Sequence, residues 1–509
     1  MGFMAAASVL ITLLAVIVLY FRYNPMLHGN PFLIRRFFNW FPLGMSYAFL
    51  YMCRYNLNVA SNALGDKMSI ASFGTVFAAG TITYGFSFLI NGPLVDKIGS
   101  KKGIMLATAG ASIANVAMGI AVYLFLQGRL TVDMTILFSI LYSINMFFQS
   151  YGAVSIIKNK AYWFHVRERG IFGAIFGTLI SVGIYFAFDW NGAIADAAKA
   201  VPKNPGALSA FFQNVFGTGA GGVDAVWMVF FIPAAIVLFW FVLDYLLVKD
   251  TPSLCGFEDF DTHDASSGQM HIEISKTEML KRVFTNPIIM MVAAVEFTTG
   301  VIRNGIMQWY FKFGHVVPQI GAEIITDNWG LILCLTGIFG GFSAGFVSDR
   351  FFQSRRGPPV ALAGGLCVVI STIMYFNILS SPMVVGFCAV TLGLLSISVH
   401  SLMSGTAAAD FGGRKMTATA SGITDGFVYL GTGLQSLVLG NVLSATEPAS
   451  WKWWPAFLIP FAVATLVLAL RMWKSLPEAT RKYMSGLQAS RVVEQAQAGS
   501  TIEFEPRKI

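Results

Sequence analysis

Long apolar runs, each about the length of a bilayer-spanning helix, divide most of the chain into twelve segments. A spanning helix needs about 20 mostly apolar residues. The predicted segments are 40–64, 71–95, 103–126, 131–157, 169–189, 224–247, 287–313, 326–348, 358–380, 382–405, 416–444 and 452–473. A further apolar run at 4–21 lacks a basic flank and a small-residue cleavage site, so we interpret it as a retained helix and not as a signal peptide. The pattern predicts an all-α membrane protein.

Composition agrees with this pattern and excludes a soluble domain. The chain is 55% hydrophobic and only 12% charged, whereas a soluble domain is roughly 25% charged. The net charge of +8 therefore does not indicate nucleic acid, because basic residues in membrane proteins mostly set orientation. The spacing of the five cysteines indicates neither a disulfide framework nor a metal site. No nucleophile–base constellation or P-loop is present, so we expect neither an enzyme nor a bound cofactor.

Lysine and arginine are distributed unevenly among the connections between the apolar segments. Twelve lie in the four connections that follow segments 2, 4, 8 and 10, whereas six lie in the six connections that follow segments 1, 3, 5, 7, 9 and 11. Because basic connections face the cytoplasm, the first group and the C-terminus are predicted to lie inside.

The spacing of the segments predicts two halves of six helices each. The predicted parts are an extra transmembrane helix with its cytoplasmic connection at 1–36, an N-terminal half at 37–247, a cytoplasmic linker at 248–286, a C-terminal half at 287–474 and a cytoplasmic tail at 475–509.

Two arginines, Arg54 and Arg303, lie inside apolar segments, 249 residues apart. An arginine at the centre of a membrane helix costs about 3 kcal/mol on insertion scales. Two forked cations suit a tetrahedral dianion, so the pair predicts an anion-binding cavity. Tyr47 and Tyr51 precede Arg54 at positions that share one helix face. They either offer hydroxyls to the anion or are ordinary packing aromatics.

A repeated motif follows segments 2 and 8. GPLVDKIGSKK contains Asp96 and Lys97, and GFVSDRFFQSRRG contains Asp349 and Arg350. Each places an acid four residues after a glycine and follows it with a base. The glycine allows close helix approach, and the acid can pair with a base or with a helix N-terminus. The motifs predict gating latches, or simple helix caps. They resemble the signature loop of the major facilitator superfamily, whose parallel halves repeat it.

Further motifs resemble the organophosphate:phosphate antiporter family within that superfamily. They are YAFLYMCRYN at Arg54, FQSYGAV at Gln149, RERG at 167–170, VKDTPSLCGFEDF at 248–260, RNGIMQW at Arg303 and TASGITDGFVYLGTG at 419–433. The resemblance runs from about Phe41 to Leu476 and does not cover the first helix.

This resemblance implies the major facilitator fold, with two six-helix halves plus the extra N-terminal helix. It implies an antiporter in the bacterial cytoplasmic membrane, exchanging a sugar phosphate or glycerol phosphate for inorganic phosphate by alternating access. By resemblance Arg54 and Arg303 hold the phosphate, with Gln149 and Tyr429 also in the substrate site. We expect a functional monomer in the bilayer, with small anions as its partners and no cofactor, metal or nucleic acid.

Several positions depart from the common bacterial members of that family. A helix-2 lysine, a helix-5 histidine and a helix-4 tryptophan are replaced by Phe88, Ile180 and Ala153, and the lysine after the helix-1 arginine is Tyr55. The pocket is therefore less basic than in those members.

Two acids lie in apolar segments instead. Glu296 precedes Arg303 by two helical turns, and Asp425 lies in segment 11. Buried membrane acids act as charge partners or proton carriers, so Glu296 either neutralises Arg303 or carries a proton. Asp425 has a coupling role or bonds two helices. We interpret His400 and His315 as lone structural histidines. A proton-coupled transporter of another organic anion, and a transporter-like sensor, therefore stay open as alternatives.

Overall fold

The computed structural model describes residues 2–165, 168–203, 206–218, 222–259, 276–318, 320–352 and 355–475, except for the side chains of 2–6, 8, 96, 169, 170, 276, 277, 279, 349 and 405–421. The α-helices are α1 Gly2–Arg22, α2 Asn30–Leu50, α3 Met52–Leu64, α4 Ile70–Ile98, α5 Ser100–Leu126, α6 Met134–Trp163, α7 Arg169–Tyr185, α8 Asn191–Ala197, α9 Ala207–Phe216, α10 Met228–Leu247, α11 Lys276–Thr285, α12 Pro287–Val316, α13 Glu323–Thr326, α14 Trp329–Phe352, α15 Gly357–Asn377, α16 Pro382–Ser401, α17 Ala408–Val442 and α18 Trp453–Arg471. A helix coincides with each of the twelve predicted segments, and α1 coincides with the thirteenth.

Within the described residues, ten helical segments are long and apolar enough to cross a membrane. The other two predicted spans are α2–α3 and α17, which carry more polar residues. Only Tyr51 separates α2 from α3, and its backbone is itself right-handed helical, so the two form one continuous helical segment. The polar character of these two spans follows from their position, because both line the site described below.

The first of two contacts between the N-terminal and C-terminal halves runs along α3 and α12. Tyr55 of α3 contacts Asn304 of α12, and two turns later Asn62 contacts the backbone of Phe311. Both pairs are 249 residues apart in sequence. A constant separation means that the helices run parallel and in register, so equivalent positions of the two halves face each other.

The second contact between the halves runs along α4 and α17, which are antiparallel. A methyl group at Gly74 would collide with the carbonyl oxygen of Ser436, and one at Gly85 would lie 2.9 Å from the carbonyl oxygen of Gly426. Small residues therefore allow backbone contact between the halves. This contact extends from the start of α4 to beyond its middle.

Charged side chains close the interface at the end of the bundle where α3 ends and α4 begins, which we call the closed end. Lys312 Nζ donates to Ser61 Oγ over 2.9 Å, at the C-terminus of α3. Asp189 lies in a π-helical turn between α7 and α8 and accepts hydrogen bonds from Gly330 N and Leu331 N, at the N-terminus of α14. Each of these side chains has a charge opposite to the partial charge of the helix end that it contacts.

Lys312 corrects one part of the sequence interpretation. It is one of the six basic residues that the sequence pattern assigns to the connections after segments 1, 3, 5, 7, 9 and 11, but it is buried within α12. Its aliphatic stem is covered by the interface, and its ammonium group reaches the last turn of α3. The connections predicted to be cytoplasmic are richer in basic residues whether or not Lys312 is counted.

The extra helix α1 is attached to the rest of the protein through a buried ion pair. Arg36 makes two hydrogen bonds to the carboxylate of Glu168, of 3.0 and 2.9 Å, and a third to the hydroxyl of Tyr20 in α1. Burial alone raises the pKa of Glu168, but the imidazole of His28, which lies 3.8 Å away, and the hydrogen bonds and charge of Arg36 lower it to about 2. The ion pair therefore holds α1 against the connection between α6 and α7.

The DTP motif of the linker caps a helix. Asp250 accepts hydrogen bonds from Ser100 Oγ over 2.8 Å and from Lys101 N over 2.9 Å, at the start of α5. Gly99 precedes this start with φ +89°, and a side chain there would meet the carboxylate of Asp250. The linker is thus fixed to the N-terminal half where it leaves α10.

Candidate functional site

Arg54 is buried in α3, and uncharged groups surround its guanidinium. Nε donates to Gln149 Oε1 over 3.1 Å, one terminal nitrogen donates to the hydroxyl of Tyr429 over 3.0 Å, and the other donates to the hydroxyl of Tyr84 over 3.2 Å. Among the described residues Arg54 has no ion-pair partner. Its positive charge is therefore hydrogen-bonded but not neutralised.

A second layer of side chains fixes this arrangement. Gln149 donates to Asn145 Oδ1, and Asn145 in turn donates to the carbonyl oxygen of Cys53 over 2.8 Å. Tyr142 donates to the carbonyl oxygen of Arg54 itself over 2.9 Å. Because buried polar groups are costly when unpaired, this network holds both the backbone and the side chain of Arg54 in one position.

Tyr47 and Tyr51, which were predicted from the helix face, lie beside Arg54 and make their contacts through their aromatic rings. The guanidinium carbon lies 4.6 Å from the ring centre of Tyr51. Tyr47 packs edge-on against Tyr51 at 5.6 Å. A cation over an aromatic face gains about 0.5–2 kcal/mol. The hydroxyls that bond Arg54 come instead from Tyr84 and from the predicted Tyr429.

Tyr84 was not predicted, although the sequence contained a signal for it. It lies one turn before Phe88, the position at which the common bacterial family members carry a lysine. The ring of Phe88 packs edge-on against Tyr84 at 4.9 Å, and the ring of Tyr84 lies 4.2 Å from that of Tyr429. An aromatic cluster thus occupies the place that this lysine has in the common bacterial members.

Arg303 lies at the matching position of α12 and also has no ion-pair partner among the described residues. Its buried Nε makes no hydrogen bond to any residue that the structure describes. Tyr51, Tyr55 and Tyr429 are close enough to interact electrostatically with both Arg303 and Arg54. The two arginines, one from each half, therefore share one tyrosine cluster, as a clamp on a common anion requires.

The residues that follow the two arginines join the halves directly. Tyr55 donates to Asn304 Oδ1 over 3.2 Å, and Asn304 donates to Thr432 Oγ1 over 2.8 Å. Tyr55 replaces the lysine of the common family members with a neutral hydrogen-bonding group. No feature of the sequence alone indicated that Asn304 is its partner.

Glu296 is paired with His400, so the interpretation of His400 as a lone histidine is wrong. Glu296 Oε2 lies 2.8 Å from His400 Nδ1, whereas its Oε1 makes no hydrogen bond among the described residues. Glu296 also interacts electrostatically with Arg303 at longer range, so its role as a charge partner or proton carrier stays a prediction. Asp425 accepts a short hydrogen bond from Ser404, which joins α17 to the π-helical segment that follows α16. The structure therefore groups a histidine and two acids in the C-terminal half.

The predicted gating residues lie away from this site. The side chains of Asp96 and Asp349 are outside the described residues, so their latches stay predictions. Lys97 and Arg350 are exposed near the ends of α4 and α14, on the side opposite the closed end. His315 of α12 contacts only the backbone of its own helix among the hydrogen bonds described.

Comparisons with known proteins relate the whole helical region to transporters. Residues 43–436 match the model of the Major Facilitator Superfamily. The glycerol-3-phosphate transporter of Bacillus subtilis (strain 168) is 24% identical over 453 residues, which cover 85% of this chain and 90% of that protein. Membrane sensor protein UhpC of Escherichia coli (strain K12) is 25% identical over 434 residues, covering 84% and 89%. A probable hexose phosphate transport protein of Chlamydia trachomatis serovar D is 23% identical over 467 residues, covering 86% and 91%.

Solved structures agree on the fold. A bacterial homologue of the human lysosomal transporter Spinster, inward-facing and occupied, has a TM-score of 0.64 at 13% identity and covers 86% of this chain and 96% of that one. A D-xylose–proton symporter has a TM-score of 0.59 at 14% identity, covering 86% and 98%. The family model and the curated relatives, and not these structures, confirm the resemblance to the organophosphate:phosphate antiporter family, and together with the ten apolar helices they identify a multi-pass membrane protein of a transporter family. The chain belongs to the major facilitator superfamily.

Proposed function

We propose that this protein exchanges a phosphorylated organic metabolite, of the sugar phosphate or glycerol phosphate type, for inorganic phosphate. One observation carries the proposal. Arg54 and Arg303 are cations on opposite halves, and neither makes an ion pair within 4 Å among the described residues, although Glu296 interacts with Arg303 electrostatically at longer range. Two cations that share one cavity and have no close acid favour a dianion. The names of the curated relatives, which include glycerol phosphate and hexose phosphate transporters, support the same class.

The phosphate would be bound by both halves at once. Arg303 has a buried Nε that is available to donate, and Arg54 offers forked donors that can exchange tyrosine hydroxyls for phosphate oxygens. Hydrogen bonds to charged groups contribute about 1.5–3 kcal/mol each. Binding therefore draws α3 and α12 together, and the two halves then rock about the site.

The closed end is the outer end in this proposal. It is formed by the ends of α3 and α12 and the starts of α4 and α14, whose connections carry few basic residues. The C-terminus then lies in the cytoplasm of a bacterial cell, and the site opens toward the cytoplasm. Asp96 with Lys97, and Asp349 with Arg350, would form the inner latches that close after the outer contacts break.

Exchange of labelled phosphate against internal phosphate in proteoliposomes tests this function. Arg54→Lys and Arg303→Lys should each lower the exchange rate at least tenfold, because a bidentate fork becomes a point charge. Arg471→Lys, at the exposed end of α18, is the matched control and should exchange normally. Normal exchange in both site variants, or no exchange by the unmodified protein, contradicts the proposal.

A proton-coupled transporter of another organic anion is the second candidate, and the pairing of Glu296 with His400 favours it. A carboxylate and an imidazole in contact can share and release one proton. Uptake driven by a pH gradient alone, and lost in Glu296→Gln, would replace the phosphate-exchange proposal with this one. A sensor is the third candidate, since one relative is a membrane sensor protein. Ligand binding without any transport would favour it.

A further inference from the structure

Two buried amides lie between the arginine site and the closed end, and both have polar atoms without partners. Asn58 of α3 is 2% exposed, and among the described residues neither its Oδ1 nor its Nδ2 makes a hydrogen bond. Gln308 of α12 is fully buried, and its Nε2 also makes none. Buried polar groups are usually paired, so unpaired ones need an explanation such as a ligand or a water molecule.

Both amides face the opposite half. Asn58 lies four residues after Arg54 and four before Asn62, and residues at this spacing share a helix face. Asn62 contacts α12 across the interface, as does Ser61 one residue earlier. Asn58 is therefore on the face of α3 that meets the C-terminal half.

Gln308 occupies the equivalent place on α12. It lies four residues after Asn304 and four before Lys312, and both of these residues contact α3. Its Oε1 already accepts from Gln435 and Ser436 on α17, which leaves Nε2 as the free donor. In the common register of the two helices, position 58 faces position 307, so the two amides lie at nearly the same depth.

We propose that Asn58 and Gln308 form a hydroxyl-binding subsite for the carbon skeleton of the substrate, next to the arginines on the closed-end side. This inference rests on the proposed phosphate exchange and adds to it the residues that recognise the hydroxyl groups of a polyol phosphate. An amide oxygen accepts from a hydroxyl and an amide N–H donates to it, so the free atoms match an alcohol group. The three unpaired atoms carry no formal charge, so they suit an alcohol better than a second phosphate.

Competition against labelled phosphate exchange tests the subsite. The competitors are glycerol phosphate, glucose 6-phosphate and propyl phosphate, which lacks hydroxyls on its carbon chain. The unmodified protein should prefer at least one polyol phosphate to propyl phosphate. Asn58→Leu and Gln308→Met, which keep a similar shape but remove the amide, should each reduce that preference by roughly five- to tenfold, because hydrogen bonds to the hydroxyl are lost.

Control variants separate the subsite from a general defect. Asn377→Leu, at the exposed end of α15, should leave the preference unchanged. Asn58→Ser replaces Asn58→Leu if the larger apolar residue prevents folding, and it should also reduce the preference. An unchanged preference in the variants means that the amides hold only water and overturns the subsite. Failure of the unmodified protein to exchange phosphate contradicts the proposed function instead, so the two failures are distinguishable.

Discussion

The hydroxyl of Tyr55 donates a hydrogen bond to Asn304 Oδ1 over 3.2 Å, and these are the residues that directly follow Arg54 and Arg303. The bond places the two arginines at the same depth, on helices that run parallel across the interface between the halves. It is also the cross-half contact nearest to Arg303 in sequence among the hydrogen bonds described. The proposed anion clamp and the interface between the halves are therefore built from the same parts of α3 and α12.

Replacing Tyr55 with phenylalanine should weaken this interface without removing a charge. The variant loses one hydrogen bond and leaves Asn304 Oδ1 without its donor, which should cost about 1–2 kcal/mol of stability. Thermal unfolding in detergent measures the change. Tyr375→Phe in α15 is the matched control and should unfold like the unmodified protein; a Tyr55→Phe variant that does the same would contradict the importance of the bond.

Breaking the charged contacts of the closed end should open it. Asp189→Asn removes the charge at the start of α14, and Lys312→Met removes the charge at the end of α3. Each should increase the labelling rate of an Asn58→Cys variant by a membrane-impermeant maleimide, at least severalfold, because the closed state loses a charge–helix interaction.

The matched control for this experiment is Lys452→Met, an exposed lysine just before α18. It should leave the labelling rate unchanged. Equal labelling in all variants would mean that the small-residue contact of α4 and α17 alone keeps this end closed.

Introducing a lysine at position 88, where the common bacterial family members have one, tests the aromatic cluster around Arg54. Phe88→Lys adds a positive charge beside Tyr84 and should destabilise the empty protein by about 3 kcal/mol, the cost of a charge in a membrane helix. Phosphate should compensate for part of this loss by binding the folded state. The thermal shift caused by phosphate should therefore be larger in Phe88→Lys than in the unmodified protein, and a smaller shift would place Phe88 away from the anion.

The ion pair of Arg36 and Glu168 should make the attachment of α1 dependent on pH. Because the pKa of Glu168 is lowered to about 2 in the folded protein, its contribution is fully present above the unfolded pKa of about 4.3 and is lost as the pH falls toward 2. Glu168→Gln should therefore cost about 3 kcal/mol at pH 7, and the difference from the unmodified protein should shrink below about pH 4.

Thermal unfolding between pH 3 and pH 7 checks this prediction. Glu278→Gln is the control, because Glu278 forms an exposed ion pair with Arg282 in one helix and such pairs contribute little. A difference between Glu168→Gln and the unmodified protein that stays constant with pH would show that the carboxylate charge is not what matters.

The arginines, the helices and the family were predictable because each leaves a local pattern. An arginine in an apolar run, a glycine four residues before an acid and a 20-residue apolar segment are all visible without the fold. Tyr84 and the pairing of His400 with Glu296 were not predicted, because they depend on which faces of four different helices meet. Asn58 gave no signal at all, since an asparagine near an arginine becomes informative only when its missing partners are known.

The absence of a close acid beside Arg54 and Arg303, in the described part of the chain, has an electrical consequence. In the proposed exchange, a bound dianion offsets the charges of the two arginines, whereas the empty carrier would reorient in the membrane field without that offset. Each elementary charge moved across the full membrane is worth about 2.3 kcal/mol per 100 mV. Voltage would therefore act more strongly on the empty protein than on the loaded one, and the unproductive return of the empty protein would be slowed in the cell while exchange of one dianion for another continued without net current.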